Sequence, residues 1–271
     1  MKKTTLCSIA LVAFIGGGAL LPSVASAAPK EQKSEGFIKF NEDSDGAELG
    51  DPEKPEENID KPEITDPIKP NEDRGTFSVD AVTELRFGDT HKVGATNDDR
   101  KFFAAPVTAK SNGTDIIRGN YVQFTDKRAT LNHKYTLTAQ MTRPFESKAA
   151  GSSAKLKAAD ITYTNGVVTS TTKDELWPSS EADGSKLVKT IPTFTLAPDA
   201  TGLGAGDTVT VIDNKSDDRG IGTYYVEFGQ YADGSKEKDT SGKSVELRIP
   251  STVNLTAEEY TADITWTLSE I

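Results

Sequence analysis

Few residues in this 271-residue chain have the types and spacing for chemistry. There are two histidines, His91 and His133, too few for most metal sites and without ligand spacing around them. No Gly-x-Ser-x-Gly elbow accompanies them. Gly202-x-Gly204-x-Gly206-Asp207 brings the third glycine one place too early for a dinucleotide loop, and no helical pattern follows. Asn41-x-Asp43-x-Asp45-Gly46 starts like a calcium loop, but Pro52 stands where that loop needs a bidentate glutamate. Asp217-Asp218 and Glu258-Glu259 are acidic pairs of the kind glycosidases use, in a chain with 42 acids in which such pairs arise by chance. No cofactor, metal or catalytic set is therefore expected. Sugar binding needs only an apolar ring face with hydrogen-bonding neighbours. Trp266 between Thr265 and Thr267, Tyr135 beside Thr136, and Trp177 offer that combination.

The elements that must position these residues read as strands. From Tyr260 to Leu268 the alternation is unbroken: Tyr260, Ala262, Ile264, Trp266 and Leu268 share one face, and Thr261, Asp263, Thr265 and Thr267 the other. Trp266 and Leu268 thus share a face with Ile264, and alternation leaves open whether they are core or ligand contacts. Similar short runs recur from Thr76 onward, among them 121–124, 135–141, 161–163, 193–196, 208–211, 224–228 and 245–249. Turn signals such as Asn112-Gly113 and Thr164-Asn165-Gly166 punctuate them. The reading is all-β: a single Ig-like or jelly-roll-like sandwich of many short strands over 76–271, with one helical turn at most, at 256–259.

Upstream, Lys2-Lys3, an apolar stretch and Ala25-Ser26-Ala27 read as a signal peptide over 1–27. Cys7, the sole cysteine, falls within it, which excludes thiol and disulfide chemistry from the mature chain. Residues 28–75 read as a disordered, acidic, proline-rich leader with one short strand at 36–40. The net charge of −11 argues against nucleic acid as a partner and against long-range attraction to anionic wall polymers.

The terminal run Tyr-Thr-Ala-x-Ile-Thr-Trp-Thr-Leu resembles the signature of the WxL family, surface proteins of Gram-positive bacteria. The resemblance extends to Asp51-Pro52, Asp66-Pro67 and Phe87-Gly88. It continues in Asp126-Lys127-Arg128 ahead of Tyr135-Thr136-Leu137, in Gly220 to Tyr224 and in Val245 to Pro250. Two departures stand out: Tyr135 replaces the tryptophan of the first motif, and the signature ends at Ile271 without the usual proline.

The resemblance implies secretion to the cell surface and noncovalent attachment to wall peptidoglycan, with Tyr135, Leu137, Trp266, Leu268, Asp126 and Arg128 as candidate wall-binding residues. It also implies assembly with WxL-interacting membrane-anchored proteins and other surface proteins. No sorting motif with a hydrophobic tail and basic end is seen, so noncovalent attachment is the expectation. The alternatives left open are an interaction subunit whose partner supplies retention, and an adhesin for a host or matrix protein.

Overall fold

The computed structural model describes residues 34–41, 43–60, 67–94, 96–233 and 235–271; the expected signal peptide over 1–27 lies outside them. By contacts the chain divides into 1–40 and 41–271. Of the first unit, 34–40 carry no strand. That corrects the expected strand at 36–40: an extended segment without a partner has no ladder to close.

The second unit is built of antiparallel strands. In chain order these are β1 (Gly50–Asp51), β2 (Lys54–Asn58), β3 (Ile68–Pro70), β4 (Phe77–Thr83), β5 (Arg100–Phe103), β6 (Val107–Ser111) and β7 (Thr114–Arg118). There follow β8 (Asn120–Asp126), β9 (Tyr135–Ser147), β10 (Asp160–Tyr163), β11 (Gly166–Ser170), β12 (Thr190–Ile191) and β13 (Phe194–Leu196). The last are β14 (Val209–Asn214), β15 (Gly222–Phe228), β16 (Val245–Ile249) and β17 (Tyr260–Glu270). Residues 256–259 form no helical turn; the one helical element among the described residues is a 3-10 turn at Asp174–Leu176.

Three sheets enclose the main core: β12-β11-β15-β8-β4-β3, β13-β10-β16-β5 and β14-β9-β17. Each contributes its apolar alternates. Phe124, Val226 and Phe228 come from the first, Ile161, Leu196 and Leu247 from the second, and Tyr135, Leu137, Ala139 and Met141 from the third. β6 and β7 form a hairpin whose turn places Asn112 and Gly113 at φ 50° and 74°. Those are the angles of the tight turn that the Asn-Gly pair favours.

The largest correction concerns the leader. Residues 47–60 cover the outer face of the six-stranded sheet and 68–70 join its edge, so neither stretch is a free linker. β3 extends that sheet alongside β4. Leu49, Ile59 and Ile68 close over Tyr121, Tyr225 and Ala81 as a second apolar cluster. β8 is consequently buried on both faces.

Polar anchors fix the leader's register. Gly50 N donates to Gln123 Oε1 (3.1 Å), Gln123 Nε2 to Glu48 O (2.8 Å) and Thr169 Oγ1 to Pro52 O (2.6 Å). The buried Asp51 carboxylate is gripped by Arg118 through Nε and Nη2. Glycine is required at position 50, because a Cβ there would sit 1.9 Å from the Tyr225 hydroxyl oxygen. Three apolar residues scattered among acids leave no periodic pattern. The segment folds because its polar atoms find individual partners, which composition does not reveal.

Candidate functional site: the paired motif strands

Both tripeptides of the resemblance lie on neighbouring strands of one sheet. β9 runs antiparallel to β17 in a register that sets Leu268 opposite Leu137, Trp266 opposite Ala139 and Glu270 opposite Tyr135. The two motifs therefore meet through their leucines. Tyr135 and Trp266 face the same way but are offset by four residues along the ladder, about 13 Å. They do not form a paired aromatic clamp.

The inward side is core. Tyr135 and Leu137 are fully buried. The Tyr135 ring meets Phe77 and Phe124 edge-on, with centroids 6.2 and 5.8 Å away, and its hydroxyl donates to Gly220 O (3.3 Å). Burial holds that phenol well above its ordinary pKa, so it stays a neutral donor. Gly220 has φ 81°, and a Cβ there would come within 2.7 Å of the Tyr135 hydroxyl. The glycine segment at 220–222 thus lets the chain cross over this ring.

Trp266 is half-buried, packed against Tyr163, Phe194 and Phe228 at centroid distances of 6.1, 6.4 and 6.2 Å. The space beside it, shared with Tyr163 and Phe228, is about 10 Å³, room for one water and not for a sugar ring. Trp177 is buried too, with Nε1 donating to Thr172 O (2.7 Å).

Asp126 and Arg128 close one end of the motif strands. Asp126 is buried and accepts from Arg128 Nε (2.9 Å) and Nη2 (2.8 Å). His133 Nδ1 lies 3.0 Å from the same carboxylate. Arg128 also pairs with Glu270 at the end of β17, and its guanidinium stacks 4.0 Å above the Phe77 ring. The pair ties the end of β8 to the end of β17.

As direct wall contacts, Tyr135, Leu137 and Asp126 have no surface to offer. Trp266 and Leu268 are half-buried, and Arg128 is already engaged. Their geometry is that of residues that hold two strands in register.

The other chemical candidates stay apart. Asp217 pairs with Lys134 and Glu259 with Lys148, and among the described residues no group of three His, Cys, Asp or Glu is placed to hold a metal. The glycines at 202–206 form a turn organised by Asp199, whose Oδ1 accepts from the backbone of Thr201 (3.0 Å) and Gly204 (3.1 Å). The Thr201 hydroxyl first, then these amides, holds that carboxyl below its ordinary range.

What the motif strands do expose is their other face. Thr265, Thr267, Ser269 and, on β14, Thr210 are exposed, with Thr136, Thr138, Gln140 and Thr142 half-exposed beside them. In register, Thr267 and Thr210 flank Thr138, and Thr265 stands opposite Gln140. Thr142 and Thr265 hydroxyls lie 3.0 Å apart, and Gln140 Nε2 donates to Gly206 O (2.7 Å). An Arg143–Asp263 ion pair (2.7 Å) bounds this patch at one end; at the other Asp213, opposite Thr136, pairs with Lys215 (3.5 Å). The sequence marks the wet alternates of the terminal run. Only the register shows that β9 and β14 extend them into a hydroxyl-rich surface whose charges are paired at its ends.

A family model for the WxL domain, described as surface cell wall-binding, matches residues 27–271. No curated protein and no solved structure matches the chain. With both tripeptide motifs placed on adjacent strands and the match running through the whole described fold, the chain belongs to the WxL family and is a surface protein that binds the cell wall.

Proposed function

We propose that this secreted protein is held on the Gram-positive wall by noncovalent binding to peptidoglycan, through the outward face of β14, β9 and β17. The observation that carries this is the threonine, serine and glutamine surface on the strands that bear both motifs, with its flanking charges held in ion pairs. Amide- and hydroxyl-rich polymers are recognised by such hydrogen-bonding groups, and a patch whose charges are paired limits the repulsion that a chain of net −11 would meet at an anionic wall. In this reading Trp266, Leu268, Tyr135 and Leu137 shape the patch from beneath, and Asp126 with Arg128 locks its end.

Cosedimentation of the purified full chain with bare peptidoglycan tests this. Retention without any partner protein, changing little between low and high salt, is expected. Failure to sediment would favour retention by a membrane-anchored WxL-interacting partner instead. Trp266→Ala removes a ring packed on three others and is expected to cost about 2–4 kcal/mol of stability in denaturant unfolding. Its loss of retention should track the unfolded fraction, because the indole acts on the wall only through the fold. Full folding with abolished retention would make Trp266 a direct contact.

A further inference from the structure

The sheet β14-β9-β17 ends in an open edge. β9 pairs with β17 on one side, and among the described residues no strand pairs with the other. With 11 residues, β17 is the longest strand left with an unpaired edge. A strand paired on one side only turns every second N–H and C=O outward without a ladder partner. Proteins usually blunt such an edge with a lysine, a proline or a bulge. The irregularities of register in β17 fall at 261–264, and the regular stretch 264–269, Ile-Thr-Trp-Thr-Leu-Ser, holds no charge, proline or glycine.

The core thins along the same edge. On β9 the inward alternates Tyr135, Leu137, Ala139 and Met141 are fully buried. On β17 the alternates Ile264, Trp266 and Leu268 pack on that core but are only half-buried. One more strand beside β17 would cover their flank. The chain carries a segment of that kind. Phe37, Ile38 and Phe40 are 93%, 80% and 82% exposed, and a Cβ on Gly36 would meet nothing within 4 Å. Extended, the segment sets Ile38 and Phe40 on one face and Phe37 and Lys39 on the other. Three bare, large apolar side chains within five residues are a standing drive towards strand pairing.

We infer that residues 36–40 of one copy add as a strand along 264–269 of β17 in a second copy. The segment's backbone closes the open ladder, and Ile38 and Phe40 cover the flank of Trp266 and Leu268. The occupant is a second copy because the segment has neither ladder nor cover in its own chain. Reciprocal exchange closes a two-fold dimer in which both open edges are paired. The added strand lengthens the sheet and leaves its hydroxyl-rich face open, so the inference stands apart from wall binding.

The test is sedimentation equilibrium of the purified full chain over about 1–100 μM in about 0.15 M salt, with amide hydrogen exchange at both ends of that range. Wild type is expected to pass from monomer towards dimer, with the amides of 36–40 and 264–269 gaining protection as it does. Ile38→Ser/Phe40→Ser is expected to weaken association by about tenfold or more. Both positions are exposed in the single chain, so the unfolding midpoint of the dilute variant stays that of wild type. The free peptide acetyl-Gly-Phe-Ile-Lys-Phe-amide is expected to compete with dimer formation and to protect 264–269 in the variant.

A monomer across the whole range, or equal association of wild type and variant, would overturn the inference. So would protection at the edge of another strand, or a peptide that leaves 264–269 unprotected. Protection of 264–269 that does not change with concentration would place the segment on its own chain and overturn the exchange between copies.

Discussion

Arg118→Ala is expected to destabilise the protein by about 3–5 kcal/mol and to release the leader from the sheet. The Arg118 side chain is 8% exposed and Asp51 is fully buried. Arg118 grips Asp51 through two nitrogens, approaches Glu53 at 3.7 Å and donates from Nη1 to Ile117 O (2.7 Å). Removing the cation leaves the buried Asp51 carboxylate with the Glu53 N–H (3.0 Å) as its remaining donor and the Glu53 carboxyl nearby to repel it. Denaturant unfolding gives the free energy, and limited proteolysis within 47–60 reports the leader. A double variant, Arg118→Met with Asp51→Leu, is expected to recover most of the loss, because deleting both charges removes the desolvation cost along with the attraction. A loss below about 1 kcal/mol in Arg118→Ala would show that the ion pair does not clamp the leader.

Glu227 carries the second large effect. It is fully buried on the face the leader covers. Its Oε1 accepts from Gly119 N (2.8 Å), and its Oε2 has no partner among the described residues. Burial first, then the charge of Glu53, pushes this carboxyl up to about 8 against 4.5 when unfolded; Gly119 N–H and Arg118 pull the other way and lose. Between those values the folded chain holds a proton that the unfolded chain has released. The contribution of Glu227 to stability is therefore greatest below about pH 4.5, falls as pH rises towards 8, and levels off above it. The full loss is at most about 5 kcal/mol for such a shift.

Asp80, raised mainly by burial, acts in the same direction. Denaturant midpoints from pH 5 to 9 are expected to decline for wild type and to flatten largely in Glu227→Gln, which keeps the neutral shape. An unchanged slope in Glu227→Gln would place the pH dependence elsewhere.

The strands at 135–141 and 260–268 are legible in the sequence because each buries one face, and period-two alternation is the direct trace of that. Their register is not, since β9 and β17 are separated by more than a hundred residues and nothing local says that Leu137 meets Leu268. The same gap hid the site. Alternation at Trp266 is compatible with either core or contact. The ring cluster with Tyr163, Phe194 and Phe228 decides for packing, and so turns attention to Thr265 and Thr267 on the opposite side.

The leader is illegible in the sequence for a different reason. Propensity and charge over 47–75 favour disorder, and what overrides them is long-range: Asp51 to Arg118, Gly50 to Gln123, Ile68 to the second cluster.

The most direct measurement is the retention of a Thr138→Val/Thr265→Val/Thr267→Val variant on bare peptidoglycan. Valine keeps the shape and the strand preference while deleting three hydroxyls from the outward face of β9 and β17. Retention is expected to fall by at least about tenfold with the unfolding midpoint unchanged. Wild-type retention by the folded variant would contradict wall binding through this face.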